Sequence, residues 1–388
     1  MKNPIVRISG WFYIFCLAIV LSSGACFAQT QVYNLNFGGL TRSYRLYLPA
    51  NYTGTTAVPL VFNLHGYTSN AFQQEFYSGM NVVADTAGFI LCYPDGVNSS
   101  WNSGFSTPYY GGVNDVGFLS TLLDSLLANY NIDPARVYSC GMSNGGFMSY
   151  RLACDLESRI AAIASVTGSM TTLQLSNCQA SRAVPVLEIH GTNDGTVSYG
   201  NSALSMGIDS VLSYWRSVNG CTAPPVYDTL PDFVQEQSTV TTQWYAGCTD
   251  NVEVAHYKIE NGGHTWPGAP FQIPGAVTNM DIKASVEIWK FFYRFSHPNP
   301  VLTGVATQPI GQTAIVVPNP AKDRFRVLNL VGEAQLTLVD VTGKAVGAWE
   351  TNEAVLEIET AAFVPGIYFL KVNQAGATTT TKVLIAGE

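Results

Sequence analysis

One serine, Ser143, stands inside Gly141-Met142-Ser143-Asn144-Gly145, between the apolar run ARVYSCG and the helix-like stretch NGGFMSYRLAC. The pattern G-x-S-x-G, set where a strand should turn into a helix, is that of a serine pushed onto a sharp turn to act as a nucleophile. A glycine-rich helix start with an inert capping serine would give the same five residues, so the pentapeptide needs partners before it means chemistry. A serine hydroxyl attacks poorly unless a base takes its proton, and the base needs a carboxylate to orient it. On a strand–turn–helix scaffold those partners follow in the order Ser, then Asp or Glu, then His. Asp194 lies in the polar loop after VLEIHG, and His264 lies in the glycine-rich loop ENGGHTWPG after another apolar run. Both fall past the carboxyl ends of strand-like segments, where such sites are built. Asp209 falls within a helical pattern, and Asp228, Asp232 and Asp250 lie away from a buried strand end. Of the other histidines, His256 alternates within a strand, His297 sits in a link, and His190 closes a strand run. The expected chemistry is therefore acyl transfer through Ser143, His264 and Asp194.

Acyl transfer also requires N–H donors for the oxyanion. The backbone N–H of Asn144, next after the serine, is the first candidate. The second is the N–H of Tyr67, in the turn NLHGYTSN after an early strand, where Gly66 frees the backbone. Trp101, Trp266 and His65 lie near these loops in sequence and are the expected substrate-binding side chains. Tyr109 and Tyr110 are further aromatics of the same region.

The surrounding pattern says what holds these groups. RLYLPA, VPLVFNLHG, FILCYPDG, ARVYSCG, RIAAIASVTG, VPVLEIHG and VEVAHYKIENGGH read as strands, and AFQQEFYSGMNVVADTAG as a loop and helix. In DVGFLSTLLDSLLANY the residues Phe118, Leu119, Leu122, Leu123, Leu126 and Leu127 recur at helical spacing behind Asn114 and Asp115 as caps. ALSMGIDSVLSYWRSVNG and IKASVEIWKFFYRF complete the helices. Strands alternating with helices predict an α/β fold with a mostly parallel sheet covered on both faces. After Phe295 the texture changes to short strands divided by turn residues, with Thr342-Gly343 as a hairpin tip, which predicts a small all-β sandwich free of Cys and His.

Five separated motifs, LHGYTSN, YPDGVNSSWN, DVGFLSTLLDSL, IDPARVYSCGMSNGGFMSYRLAC and GGHTWPG, together resemble the secreted esterases that include polyhydroxybutyrate depolymerase-like proteins and feruloyl esterases. The resemblance spans about residues 33–296. It implies an α/β-hydrolase fold, Ser143, Asp194 and His264 as the triad, and ester hydrolysis without a metal or organic cofactor. The substrates it implies are feruloyl or acetyl esters on plant cell-wall polysaccharide, with a polyester of the hydroxybutyrate type as the alternative. VVPNPAKDRFRV, LTLVDVTGKAV, VPGIYFLKV and TTKVLI resemble the type A sorting domain of the type IX secretion system, which implies that machinery as a partner. A carbohydrate-binding or spacer module would share the same β texture. A surface-displayed binding protein on a hydrolase scaffold is the rival of another class.

The bulk of the sequence agrees with export. Of 388 residues 47% are hydrophobic and only 12% charged, and the net charge of -8 leaves no basic footprint for nucleic acid. Lys2 and Arg7, an apolar core over Trp11 to Leu21 and small residues up to Ala28 form an expected signal peptide at 1–28, with a lipid anchor on Cys26 as its alternative. The expected divisions are then an esterase domain at 29–298, a linker at 299–312 and the β-sandwich at 313–388. The expected destination is extracellular or the cell surface, by way of the periplasm, with no membrane span once the leader is cut. In that oxidising setting six cysteines remain, and the expected pairs are Cys154–Cys178 and Cys221–Cys248, leaving Cys92 and Cys140 as buried thiols. Neither C-x-x-C nor H-E-x-x-H occurs, so no metal site is expected.

Overall fold

The computed structural model describes residues 29–106, 108–302, 314–374 and 377–386. The expected leader and most of the expected linker lie outside the described residues. In chain order the first region contains β1 (Gln29–Phe37), β2 (Leu40–Leu48), β3 (Val58–Leu64), α1 (Ala71–Ser78), α2 (Met80–Ala87) and β4 (Ile90–Pro94). There follow α3 (Asp115–Asn129), β5 (Ile132–Met142), α4 (Asn144–Asp155), β6 (Ala162–Val166), α5 (Thr172–Asn177) and β7 (Val186–Gly191). The region ends with α6 (Ile208–Val218), β8 (Val226–Thr229), β9 (Thr239–Tyr245), β10 (Val254–Glu260) and α7 (Ala284–Phe292).

The strands form one ten-stranded sheet in the order β1-β2-β4-β3-β5-β6-β7-β10-β9-β8. Its centre, from β4 to β10, is parallel, while β1, β2, β8 and β9 run antiparallel at the two flanks. This is the α/β-hydrolase arrangement. Successive strand residues point to opposite faces. On β3, Leu60, Phe62 and Leu64 join one apolar cluster with Leu119, Leu122 and Met148, and Val61 joins the other with Met80, Phe291 and Phe292. Helices therefore cover both faces, and the continuous burial of β4, β6 and β7 follows from that double cover.

Local signals explain the element ends. The Asn114 side chain accepts the Gly117 N–H at 2.9 Å and caps α3. The stretch read as one helix after β3 is two, because Gly79 adopts φ 58° and both closes α1 and opens α2. The strands β8 and β9 were outside the sequence expectation; β8 is exposed along its whole length and carries no apolar face to betray it. Disulfides join Cys154 to Cys178 and Cys221 to Cys248, and Cys92 and Cys140 are buried free thiols.

The C-terminal region is all β. It contains β11 (Ile315–Val317), β12 (Arg324–Leu328), β13 (Ala334–Asp340), β14 (Ala345–Thr351), β15 (Leu356–Glu359), β16 (Gly366–Gln374) and β17 (Ala377–Ile385). A three-stranded sheet β11-β12-β15 and a four-stranded sheet β14-β13-β16-β17 share one core of Val316, Phe325, Leu338, Leu370 and Val383. The β13–β14 turn is closed by Asp340, whose carboxylate accepts the N–H groups of Thr342 and Lys344, with Gly343 at φ 86°.

Candidate active site

Ser143 joins β5 to α4 with φ 55° and ψ -120°, outside the comfortable range of an L-residue. Such a conformation costs on the order of 1–3 kcal/mol and persists only where its surroundings enforce it. Here the Ser143 N–H donates to the Val166 carbonyl at 2.8 Å, and its own carbonyl accepts from Phe147 at 3.0 Å. The glycines are a packing requirement. A Cβ on Gly145 would lie 2.1 Å from the Leu64 carbonyl oxygen, and one on Gly141 would lie 2.6 Å from both that oxygen and the Gly145 carbonyl carbon. Only a bare backbone lets the elbow press against β3.

The loops after β7 and β10 abut in the same way. The Asn193 N–H donates to the Gly262 carbonyl at 2.9 Å, and a Cβ on Gly191 would fall 2.2 Å from that oxygen. This contact brings Asp194 to His264. Asp194 Oδ1 accepts the N–H groups of Thr196 and Val197, each at 2.8 Å, and Oδ2 takes the hydrogen bond of His264 Nδ1 at 2.7 Å. Asp194 is buried, while the imidazole is partly open. With its proton on Nδ1, His264 keeps the Nε2 lone pair free. Ser143 and His264 line one cavity of about 380 Å³.

The expected oxyanion donors flank the serine. Asn144 is the first residue of α4, and its N–H has no intrahelical partner. The Tyr67 N–H finds no acceptor among the described residues. A Cβ built on Gly66 would stand 3.4 Å from the Ser143 Cβ, so this turn runs directly over the serine.

The three residues expected to bind substrate are corrected by the structure. His65, Trp101 and Trp266 are buried and do not line the cavity. His65 Nε2 accepts the Gly96 N–H at 2.9 Å, and Nδ1 faces the Gly66 carbonyl at 2.7 Å. Burial pushes its pKa down, against the pull of the Gly66 carbonyl and the charges of Asp95 and Asp115. It is a neutral brace for the Gly66 turn. Trp101 donates from Nε1 to the His65 carbonyl at 3.0 Å. The Asn144 amide in turn clamps Trp101, accepting its N–H at 2.7 Å and donating to Ser103 Oγ at 2.7 Å. A buried ion pair stands behind: Arg42 meets Asp115 at 2.7 Å, and Asp115 accepts the Asn102 N–H at 2.7 Å. Trp266 donates from Nε1 to Ser285 Oγ at 3.2 Å. Sequence nearness to a catalytic loop could not tell which way these side chains point. Tyr109 is likewise packed away, under the Arg151 guanidinium at 4.5 Å.

Beside Ser143 and His264, the cavity is lined by side chains that the sequence did not mark as binding residues. They are Tyr67, Phe72, Phe76, Tyr77, Phe271 and Ile273, together with neutral polar groups such as Gln73. Phe76 stacks on Phe271 at 5.8 Å, and Phe271 meets Tyr77 at 4.8 Å. Phe72 and Phe76 are each 60% exposed. Two aromatics four apart on α1, left on the water side, were the available signal.

Residues 42–206 match the family model Esterase PHB depolymerase, and residues 315–386 match the Secretion system C-terminal sorting domain. The chain is 28% identical over 264 residues to the bifunctional acetylxylan esterase/xylanase XynS20E of Neocallimastix patriciarum, covering 68% of this chain and 35% of that protein. It is 30% identical over 232 residues to feruloyl esterase B of Piromyces equi, covering 56% and 41%. It is 26% identical over 280 residues to poly(3-hydroxyalkanoate) depolymerase C of Paucimonas lemoignei, covering 66% of each. The chain thus spans well under half the length of the first two. The sorting domain marks the chain for the cell surface or the extracellular space. No helix among the described residues is long and apolar enough to cross a membrane.

Proposed function

We propose that this chain, which carries an esterase PHB depolymerase domain and a secretion sorting domain, is a secreted serine esterase acting through Ser143, His264 and Asp194. The observation that carries the reading is a single cavity lined by a serine on a strained turn and by a histidine whose other nitrogen is bound to a buried carboxylate. His264 Nε2 takes the Ser143 proton as Oγ attacks the ester carbonyl. The N–H groups of Asn144 and Tyr67 receive the oxyanion. His264 then protonates the leaving alcohol, and water repeats the sequence on the acyl-enzyme to release the acid. Asp194 holds the Nδ1–H tautomer and stabilises the imidazolium between steps.

The aromatic lining supports a planar phenolic acyl group, so feruloyl esters of plant cell-wall polysaccharide are the first substrate, ahead of acetyl esters. An offset or edge contact with Phe271, Phe72 or Tyr67 would grip such a ring. The exposed phenylalanines on α1 also favour a second reading, in which an apolar polyester lies across the rim.

The test is hydrolysis by the full secreted chain of methyl ferulate, acetylated xylan and polyhydroxybutyrate film, run beside Ser143→Ala. Ferulate release that falls on the order of 10⁴-fold or more in a folded Ser143→Ala variant is expected. A fluorophosphonate should form its adduct on the Ser143 peptide. Retained hydrolysis in the variant, or no adduct, overturns the assignment and favours a binding protein.

A further inference from the structure

Behind Asp194 lies a set of buried ionisable groups that the reaction above does not use. Glu188 and His190, both on β7, have no exposed side-chain surface. Glu188 Oε1 stands 3.0 Å from His190 Nδ1, and Oε2 accepts the Tyr150 hydroxyl of α4 at 2.7 Å. His190 Nε2 stands 2.9 Å from the Val197 carbonyl and 3.5 Å from Asp194 Oδ2. That nitrogen faces only acceptors, so it carries a hydrogen. Nδ1 faces a carboxyl group that is already receiving a hydrogen bond from Tyr150, which favours the carboxylate and leaves Nδ1 as the donor. Asp194 Oδ2 is therefore bracketed by two imidazoles, His264 on the cavity side and His190 on the sheet side.

We propose that Glu188 and His190 form a buried ion pair whose imidazolium faces Asp194, making His190 a positioning residue that fixes this carboxylate and opposes a second positive charge on His264. The inference rests on the esterase reading. Every charged or titratable group packed on His190 has a place in it. Glu188 supplies the negative partner, Tyr150 orients Glu188, and Asp194 takes the field of the cation. The Tyr199 ring lies edge-on at 6.0 Å, and His256 of β10 donates from Nδ1 to the Glu188 carbonyl at 3.0 Å. Lys258, over the Tyr199 ring at 5.5 Å, is paired with Glu260 at 2.6 Å, and Asp209 accepts the Tyr199 hydroxyl at 3.0 Å. Burial alone would drive the His190 pKa down. The Glu188 hydrogen bond and charge, the Val197 carbonyl and Asp194 outweigh it and raise it. Glu188 itself is raised by burial, against the bonds it accepts.

A cation beyond Asp194 opposes a second positive charge on His264. Removing it lets His264 take a proton more readily, so the acid limb of kcat/KM moves to higher pH. Coulomb's law in an effective dielectric near 20 gives about two pH units for a lone cation roughly 6 Å away; the Glu188 carboxylate, 3.0 Å behind the His190 ring, cancels part of that and leaves an expected displacement of about one pH unit. A residue that only filled space would lower the rate without moving that limb.

The experiment measures kcat/KM on methyl ferulate against pH for the full chain and for Glu188→Gln, His190→Gln and the double variant. The expected result is the same alkaline displacement of the acid limb in all three, with the double variant no worse than either single one. An unmoved limb in folded, active variants overturns the proposal. Should the variants fail to fold, ¹⁵N spectra of the wild-type histidine rings decide. One of the five rings should remain doubly protonated at pH 8, and its absence overturns the ion pair. Retained hydrolysis in Ser143→Ala would instead defeat the esterase reading, while the ¹⁵N result would still stand on its own.

Discussion

The Phe72 ring is mostly in water, so its value to the molecule lies in what it can hold rather than in what it packs against. Phe72→Ala should leave the melting temperature almost unchanged. It should raise KM for methyl ferulate by about 2- to 10-fold, the worth of one aromatic contact, with no comparable change for an acetyl ester. Parallel Michaelis curves on the two esters check this. His256 acts on stability instead. Burial, with the charges of His190 and Lys258 adding to it, pushes its pKa down to about 3, and the Glu188 carbonyl only partly resists. The unfolded chain binds a proton on this ring below about 6.5 and the folded chain does not, so folding loses up to about 1.4 kcal/mol per pH unit on the way down to about 3. Urea titrations between pH 7 and pH 4 should show that slope, and His256→Asn should make it shallower. An unchanged slope would mean that other groups dominate acid unfolding.

Among the elements, the β3–α4 approach makes the strongest demand on the sequence. Gly145→Ala must move either the helix start or the Leu64 carbonyl, since 2.1 Å is no tolerable contact. A loss of about 2–4 kcal/mol in denaturant unfolding, with hydrolysis nearly abolished, is expected. Wild-type activity in that variant would show that the elbow has slack. This is also why the serine was legible in the sequence: a strained turn against a strand permits few residue types, and the glycines announce it. Asp194 and His264 were legible because they follow strands that must end at the same rim. The aromatic wall was not, because α1 places Phe72, Phe76 and Tyr77 through helix rotation and a break at Gly79, neither of which marks a binding residue. The burial of His65, Trp101 and Trp266 was not legible for the converse reason. Each has a polar atom satisfied by a buried partner, and that accounting is invisible before the chain is folded. The edge strand β8 was not legible because a strand exposed along its whole length has no burial pattern to follow; β9 lies inside it, and the mostly polar run TVTTQWY does not announce its partly buried face.

For the whole molecule, the large sheet provides the rigid frame and the C-terminal sandwich has a core composed of its own residues from Ala314 onward. Separate cores allow separate stability. Cleavage between residues 302 and 314 should leave kcat/KM for methyl ferulate unchanged, and a marked fall would make the tail a part of the site. Among the described residues, meanwhile, the cavity wall contains no aspartate, glutamate, lysine or arginine, and His264 is its sole imidazole. A neutral ester approaching it sheds no bound counter-ions and feels no steering field that salt could screen. On the proposed function, encounter with a neutral ester should proceed at much the same pace in dilute buffer and in brine.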